Sequence, residues 1–167
     1  MSTDVLKRLG LFVGFILAQV VVLGRIHLLG IATPLFYVYF VSLFPRNYPK
    51  WGVLLWSFFL GLFIDIFTNT PGLASTALTL LAFVQPPFFE LFVPRDSVDD
   101  LKPSLHSIGV LKYSYYITFL VFIYCVVFFS LEMFSFSNWL HWLMCVVGST
   151  LITLALIFTF EIARNQH

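Results

Sequence analysis

Six apolar runs follow one another with only short polar breaks between most of them, and this pattern limits the possible folds more than any other feature. They cover residues 9–24, 28–44, 51–67, 73–93, 113–131 and 139–162. A helix that crosses a bilayer needs roughly 17–25 mostly apolar residues, so the last four runs qualify easily and the first two are marginal. Of the 167 residues, 60% are hydrophobic and 10% charged, whereas a soluble domain has roughly 45–50% apolar and about 25% charged residues. A water-soluble fold of this size could not hide so much apolar surface. The runs lack the alternation of polar and apolar residues that marks a barrel strand, so helices must satisfy the backbone in lipid. The expected fold class is therefore all-α, a polytopic integral membrane protein with six transmembrane helices in a single domain over 1–167.

The breaks carry helix-stopping chemistry. Phe44-Pro45-Arg46-Asn47-Tyr48-Pro49-Lys50 is a tight polar turn, and Asn69-Thr70-Pro71-Gly72 is another. Pro94 to Lys112 is the one long loop. With the N-terminus inside and six spans, Lys7, Arg8, Arg46, Lys50, Arg95, Lys102, Lys112 and Arg164 all fall inside, and only Arg25 falls outside. Cytoplasmic loops are enriched in Lys and Arg, so both termini are expected in the cytoplasm. Pro34 weakens the second run and raises a five-span rival. With the N-terminus inside, that rival leaves only Lys7 and Arg8 inside; flipped, it places those two outside, against the charges that usually set orientation. Lys7 and Arg8 before an apolar run also resemble a signal peptide, but no small-x-small cleavage site follows, so the run reads as a retained helix.

Several function classes drop out. A net charge of +1 with no basic stripe gives no footprint for nucleic acid. Cys125 and Cys145 lie inside apolar runs without metal-ligand spacing and read as small buried hydrophobes. No second intramembrane aspartate faces Asp65, so no aspartyl peptidase pair is expected. His27, His141 and Glu132 share the outer side but match no metal motif. Neither a metal nor a cofactor is expected, and the chain does not read as an enzyme.

Asp65 is the polar residue of most interest. A carboxylate in a span costs about 2.5–3.5 kcal/mol on insertion scales, and this one lies near a helix C-terminus, where the dipole disfavours it. It needs a partner. Arg25 is the only basic residue on that side, so an intramembrane Asp65–Arg25 ion pair is the economical solution; a helix cap and a ligand or partner contact are the alternatives. Glu90, Glu132 and Glu161 sit at span ends and read as interfacial groups reaching water. Gly10, Gly14 and Ala18 recur at four-residue spacing, a small-residue face that lets another helix approach, within the chain or from a partner.

Pro34 opening the second run, Phe44-Pro45 closing it, Gly61 four residues before Asp65, and Pro71-Gly72 with Ala74 opening the fourth run together resemble the rod shape-determining MreD family. The resemblance extends over nearly the whole chain in size and hydropathy and is sharpest from Pro34 to Ala74. It implies a fold similar to the six-helix substrate-binding components of energy-coupling-factor transporters. It also implies a non-enzymatic inner-membrane subunit of the bacterial cell-elongation complex, which couples cytoskeleton and peptidoglycan synthesis to maintain rod shape. MreC would be its direct partner, with MreB, RodA and a class B penicillin-binding protein in the same complex. The alternative is a substrate-binding membrane component of an energy-coupling-factor vitamin transporter. That role would need an outward pocket, for which Asp65, Arg25, Gln19, Asn69 and His141 are the few polar candidates.

Overall fold

In the computed structural model the residues described are 2–22, 32–93, 101, 103–134 and 138–165, and among them the secondary structure is helical, with no strand. The first helix, α1, covers Ser2–Leu17 and passes into a π-turn over Ala18–Val22. It starts seven residues before the first apolar run, because Lys7 and Arg8 form helix as readily as the apolar residues after them. A five-residue helix, α2, covers Val38–Ser42. The long helices are α3 (Lys50–Thr68), α4 (Leu73–Phe92), α6 (Val110–Glu132) and α7 (Trp139–Asn165), with a single turn, α5 (Leu105–Ile108), before α6.

These four long helices are apolar enough to cross a membrane. Each buries less than half of its spanning stretch inside the protein. The rest presents residues such as Phe58, Phe59, Phe63, Phe83, Phe119, Phe122 and Leu151 on the outer surface. Water would penalise an apolar surface of that extent, and lipid does not. The chain is a multi-pass helical membrane protein.

The second apolar run departs from the expected spanning helix over 28–44. Its helix is confined to Val38–Ser42, residues 32–37 are non-helical, and 28–31 lie outside the described residues. Pro34 accounts for part of this, since it has no N–H to donate and biases the residue before it away from helix. The rest is burial. Residues Tyr37 to Val41 are at most 2% exposed, which makes this segment the centre of the bundle. Non-helical backbone is tolerated at membrane depth when protein surrounds it and satisfies its polar groups. Here the Thr33 N–H donates to Ser149 Oγ (3.1 Å), the Leu35 N–H donates to Thr153 Oγ1 (3.0 Å), and the Pro34 C=O accepts from Gln19 Nε2 (2.9 Å).

Pairwise contacts give the chain directions. Along α1 and the second segment, Arg8 meets Phe44, Phe12 meets Phe40, Phe15 meets Phe36, and Gln19 meets Pro34, so the two run antiparallel. Along α7 the second segment runs in parallel, from Thr33 at Ser149 to Tyr39 at Glu161. The tight turn at 69–72 sends α4 back along α3, and Phe88, Phe89 and Phe92 near the end of α4 meet Tyr116 near the start of α6. Six segments thus alternate in direction. Every Lys and Arg among the described residues, namely Lys7, Arg8, Arg46, Lys50, Lys112 and Arg164, falls at one end.

Candidate functional site

The α3–α4 junction uses the motif residues directly. Asn69 ends α3 in the left-handed region (φ 57°), and its N–H and that of Thr70 both donate to the Asp65 C=O. Gly72 then takes φ 82°, a conformation that glycine adopts without a Cβ clash, and α4 starts at Leu73. The Asp65 carboxylate lies across that new N-terminus. Oδ1 accepts from the Ala74 N–H (2.8 Å) and the Thr70 hydroxyl (3.1 Å), and Oδ2 accepts from the Ser75 N–H (2.9 Å). The dipole that disfavours Asp65 at the end of its own helix is opposed by the positive end of the next one.

Gly61 stands one turn before Asp65 on the same face. A Cβ there would lie 2.4 Å from Ser75 Cα and 2.6 Å from Ser75 N, so the two helices touch backbone to backbone. Asp65 can reach the α4 amides because Gly61 allows that approach. The spacing Gly-x-x-x-Asp is therefore one mechanical unit, a close contact followed by a cap.

Beside the junction, at the end away from the basic residues, lies a chamber of about 470 Å³. All six segments contribute to its wall: Gln19, Thr33, Ile64, Ala74, Phe129 and Cys145 come one from each. Its rim carries the exposed residues Thr68, Glu132 and His141, and its depth the buried residues Leu35, Tyr37 and Ile64. Gln19 is 3% exposed, and its Oε1 has no hydrogen-bond partner. The His141 ring Nε2 lies 3.7 Å from Cys145 Sγ.

The basic end is filled instead. Arg8 lies over the rings of Tyr48 (4.2 Å) and Phe44 (5.0 Å). Glu161 overturns the expectation of an interfacial carboxylate. It is 0% exposed, accepts from the Tyr39 hydroxyl, and pairs with Arg164 at 2.7 Å. Its position near a span end suggested water, but the second segment covers it. Glu90 and Glu132 are exposed, as expected of interfacial groups.

The expected Asp65–Arg25 pair involves Arg25, which lies outside the described residues; the partners seen on Asp65 are those of the cap. Gly10 and Gly14 face outward with open space where a Cβ would be, so their face packs against no other described segment, and Ala18 is half-buried in the π-turn. Pro34, Phe44 and Pro45 sit along the second segment, the last with its C=O accepting from the Tyr48 N–H. Gly61, Asp65, Pro71, Gly72 and Ala74 come together at the junction. Sequence reasoning missed the polar stripe of α7. Ser149, Thr153 and Glu161 lie on one face at multiples of four residues, and that spacing on an apolar helix was the available signal. Among the described residues no group of three or more His, Cys, Asp or Glu side chains could hold a metal ion.

Fold and surface define the class, a polytopic helical membrane protein. No protein-family model matches the chain, and neither a curated protein nor a solved structure matches it.

Proposed function

We propose that this protein is a non-enzymatic inner-membrane subunit of the bacterial cell-elongation complex, similar in role to MreD. In this reading it crosses the membrane six times and keeps both termini in the cytoplasm. The observation that carries the reading is that the stretch from Pro34 to Ala74, where the resemblance to MreD is sharpest, is also the part of the chain with the tightest structural use. Pro34 serves the buried second segment, Phe44 seats Arg8, and Gly61, Asp65, Gly72 and Ala74 build the α3–α4 junction. Six crossings agree with the alternating segments. Ser2 to Val22 is long enough, at roughly 30 Å for 1.5 Å per residue. The second segment is shielded from lipid and so needs no regular helix. The cluster of Lys and Arg at one end favours the cytoplasm there.

Co-purification is the test. Tagged protein from its native membrane should bring down MreC, with MreB, RodA and a class B penicillin-binding protein, and its depletion should round the cells. Single cysteines at Asn47 and Asn69, both exposed and at opposite ends, should label oppositely with a membrane-impermeant thiol reagent in intact cells. Asn69 should be the accessible one, and labelling of Asn47 instead would invert the topology.

The chamber favours a second reading, a substrate-binding component of an energy-coupling-factor vitamin transporter. In that case an ATPase and a membrane coupling subunit would co-purify in place of MreC.

A further inference from the structure

We infer that the chamber at the end away from the basic residues is a binding site for a small, uncharged, planar molecule that carries an N–H donor. The inference deepens the second reading by naming a ligand class, but it rests on the chamber alone.

Four observations carry it. The volume, about 470 Å³, falls within the roughly 300–1,000 Å³ usual for small-molecule sites. Position comes next. All six segments wall the chamber, so protein stands between it and lipid, and the exposed rim residues mark a mouth at the end of the bundle. A ligand would arrive from water, not as an acyl chain from the bilayer. Third, the wall chemistry is specific. Rings of Tyr37, Phe67, Phe128 and Phe129 offer flat apolar faces, and Thr33 and Thr70 offer hydroxyls. None of the described lining residues is Lys or Arg, so the described wall offers an anion no fixed counter-charge.

The fourth observation is Gln19. It stands in the chamber wall within a π-turn, and its Oε1 is a buried acceptor without a partner. Each feature is unfavourable, and the bond from Nε2 to the Pro34 C=O accounts for the amide nitrogen but not for the open oxygen or the π-turn. Two such features on one residue at a cavity wall are what a binding site retains, because the ligand completes the hydrogen bonding. An acceptor calls for a donor, hence the N–H.

The test uses full-length protein in lipid nanodiscs with three probes of one shape: benzamide, benzoate and benzylammonium. Binding is read from ligand-detected NMR and from the rise in thermal midpoint, which follows the ratio of ligand concentration to Kd. Benzamide should bind saturably at millimolar concentration, and the two charged probes at least tenfold more weakly. Gln19→Leu should weaken benzamide at least tenfold, and Met133→Trp, which fills the chamber from its half-buried rim, should abolish binding. If Gln19→Leu does not fold, Met133→Trp carries the comparison. Absence of saturable benzamide binding to folded wild type overturns the inference. So does equal uptake by wild type and variants, which means partition into lipid, and so does a preference for benzylammonium, which reassigns the site to a cation. Co-purification of MreC, or of an ATPase with a coupling subunit, is a separate readout, so failure of the chamber is distinguishable from failure of either functional reading.

Discussion

The two ends of the bundle solve the same problem in opposite ways. At the basic end the gap left between the second segment, α3 and α4 is about 40 Å³, whereas the chamber at the other end is about 470 Å³. The basic end closes because long cations have rings to lie on and a buried carboxylate to pair with, as Arg8 does on Phe44 and Tyr48 and Arg164 does on Glu161. The chamber end is walled by the rings of Tyr37, Phe67, Phe128 and Phe129, by short hydroxyls and by one buried amide, and these leave the space between the six segments open. What holds that end is the α3–α4 junction. Stability at the basic end is spread over many contacts, and at the chamber end it is concentrated in Gly61 and Asp65.

That contrast breaks most visibly at Gly61. Gly61→Leu should drive a side chain into the α4 backbone and cost about 3 kcal/mol or more, whereas Gly14→Leu, with open space around it, should cost less than about 0.5 kcal/mol. Reversible unfolding in mixed micelles measures both, and equal losses would mean that the close helix contact is not where stability resides. Asp65→Ala should follow at about 2 kcal/mol, since two backbone N–H groups lose a charged acceptor, and Asp65→Asn should recover part of it as a neutral cap. The same series tests the Arg25 pairing. A true buried pair makes Arg25→Ala cost roughly 3–5 kcal/mol and makes the double variant recover much of that; a cap that suffices leaves Arg25→Ala nearly silent.

Smaller effects sharpen the difference between the ends. Tyr39→Phe at the closed end should cost about 1–2 kcal/mol through the lost bond to Glu161. The two thiols compare the ends kinetically. Cys145 lines the chamber and Cys125 is fully enclosed in α6, so N-ethylmaleimide should alkylate Cys145 at least tenfold faster, and equal rates would show a chamber closed to solutes. Smallest of all, Gln19→Met should cost about 1 kcal/mol or less, because removal of an unsatisfied acceptor partly offsets the stranding of the buried Pro34 C=O. A large loss there would assign Gln19 to folding instead of the chamber.

Much of this architecture is legible residue by residue. Four of the apolar runs became helices close to their expected limits because helix is the local answer for an apolar run in lipid. The expected helix stop at 69–72 held because Asn69 and Gly72 supply left-handed backbone within a few residues of one another. The candidate site was half legible. Asp65 and Gly61 stood out in sequence, but a helix cap stood there only as an alternative to a pairing across the bundle, and the Ala74 and Ser75 amides that make it were not named. Pro86 and Pro87 fall within α4 and do not end it, because neighbouring helices support the last turns. The turn α5 was missed inside the long loop, although Ser104 and Ser107 form a reciprocal capping box at its start.

The sequence by itself determined that this is a helical membrane protein, that its chain reverses at 45–49 and 69–72, and that its described basic residues share one end, since each follows from transfer energies and turn chemistry within short windows. Only the tertiary structure decided the path of the second segment, the burial of Glu161 and the existence of the chamber. The bonds responsible join residues more than a hundred positions apart, Thr33 to Ser149, Leu35 to Thr153 and Tyr39 to Glu161. A backbone group in the membrane takes whichever donor or acceptor the packed bundle brings to it, and that partner is set by how six segments meet, which no short window of sequence contains.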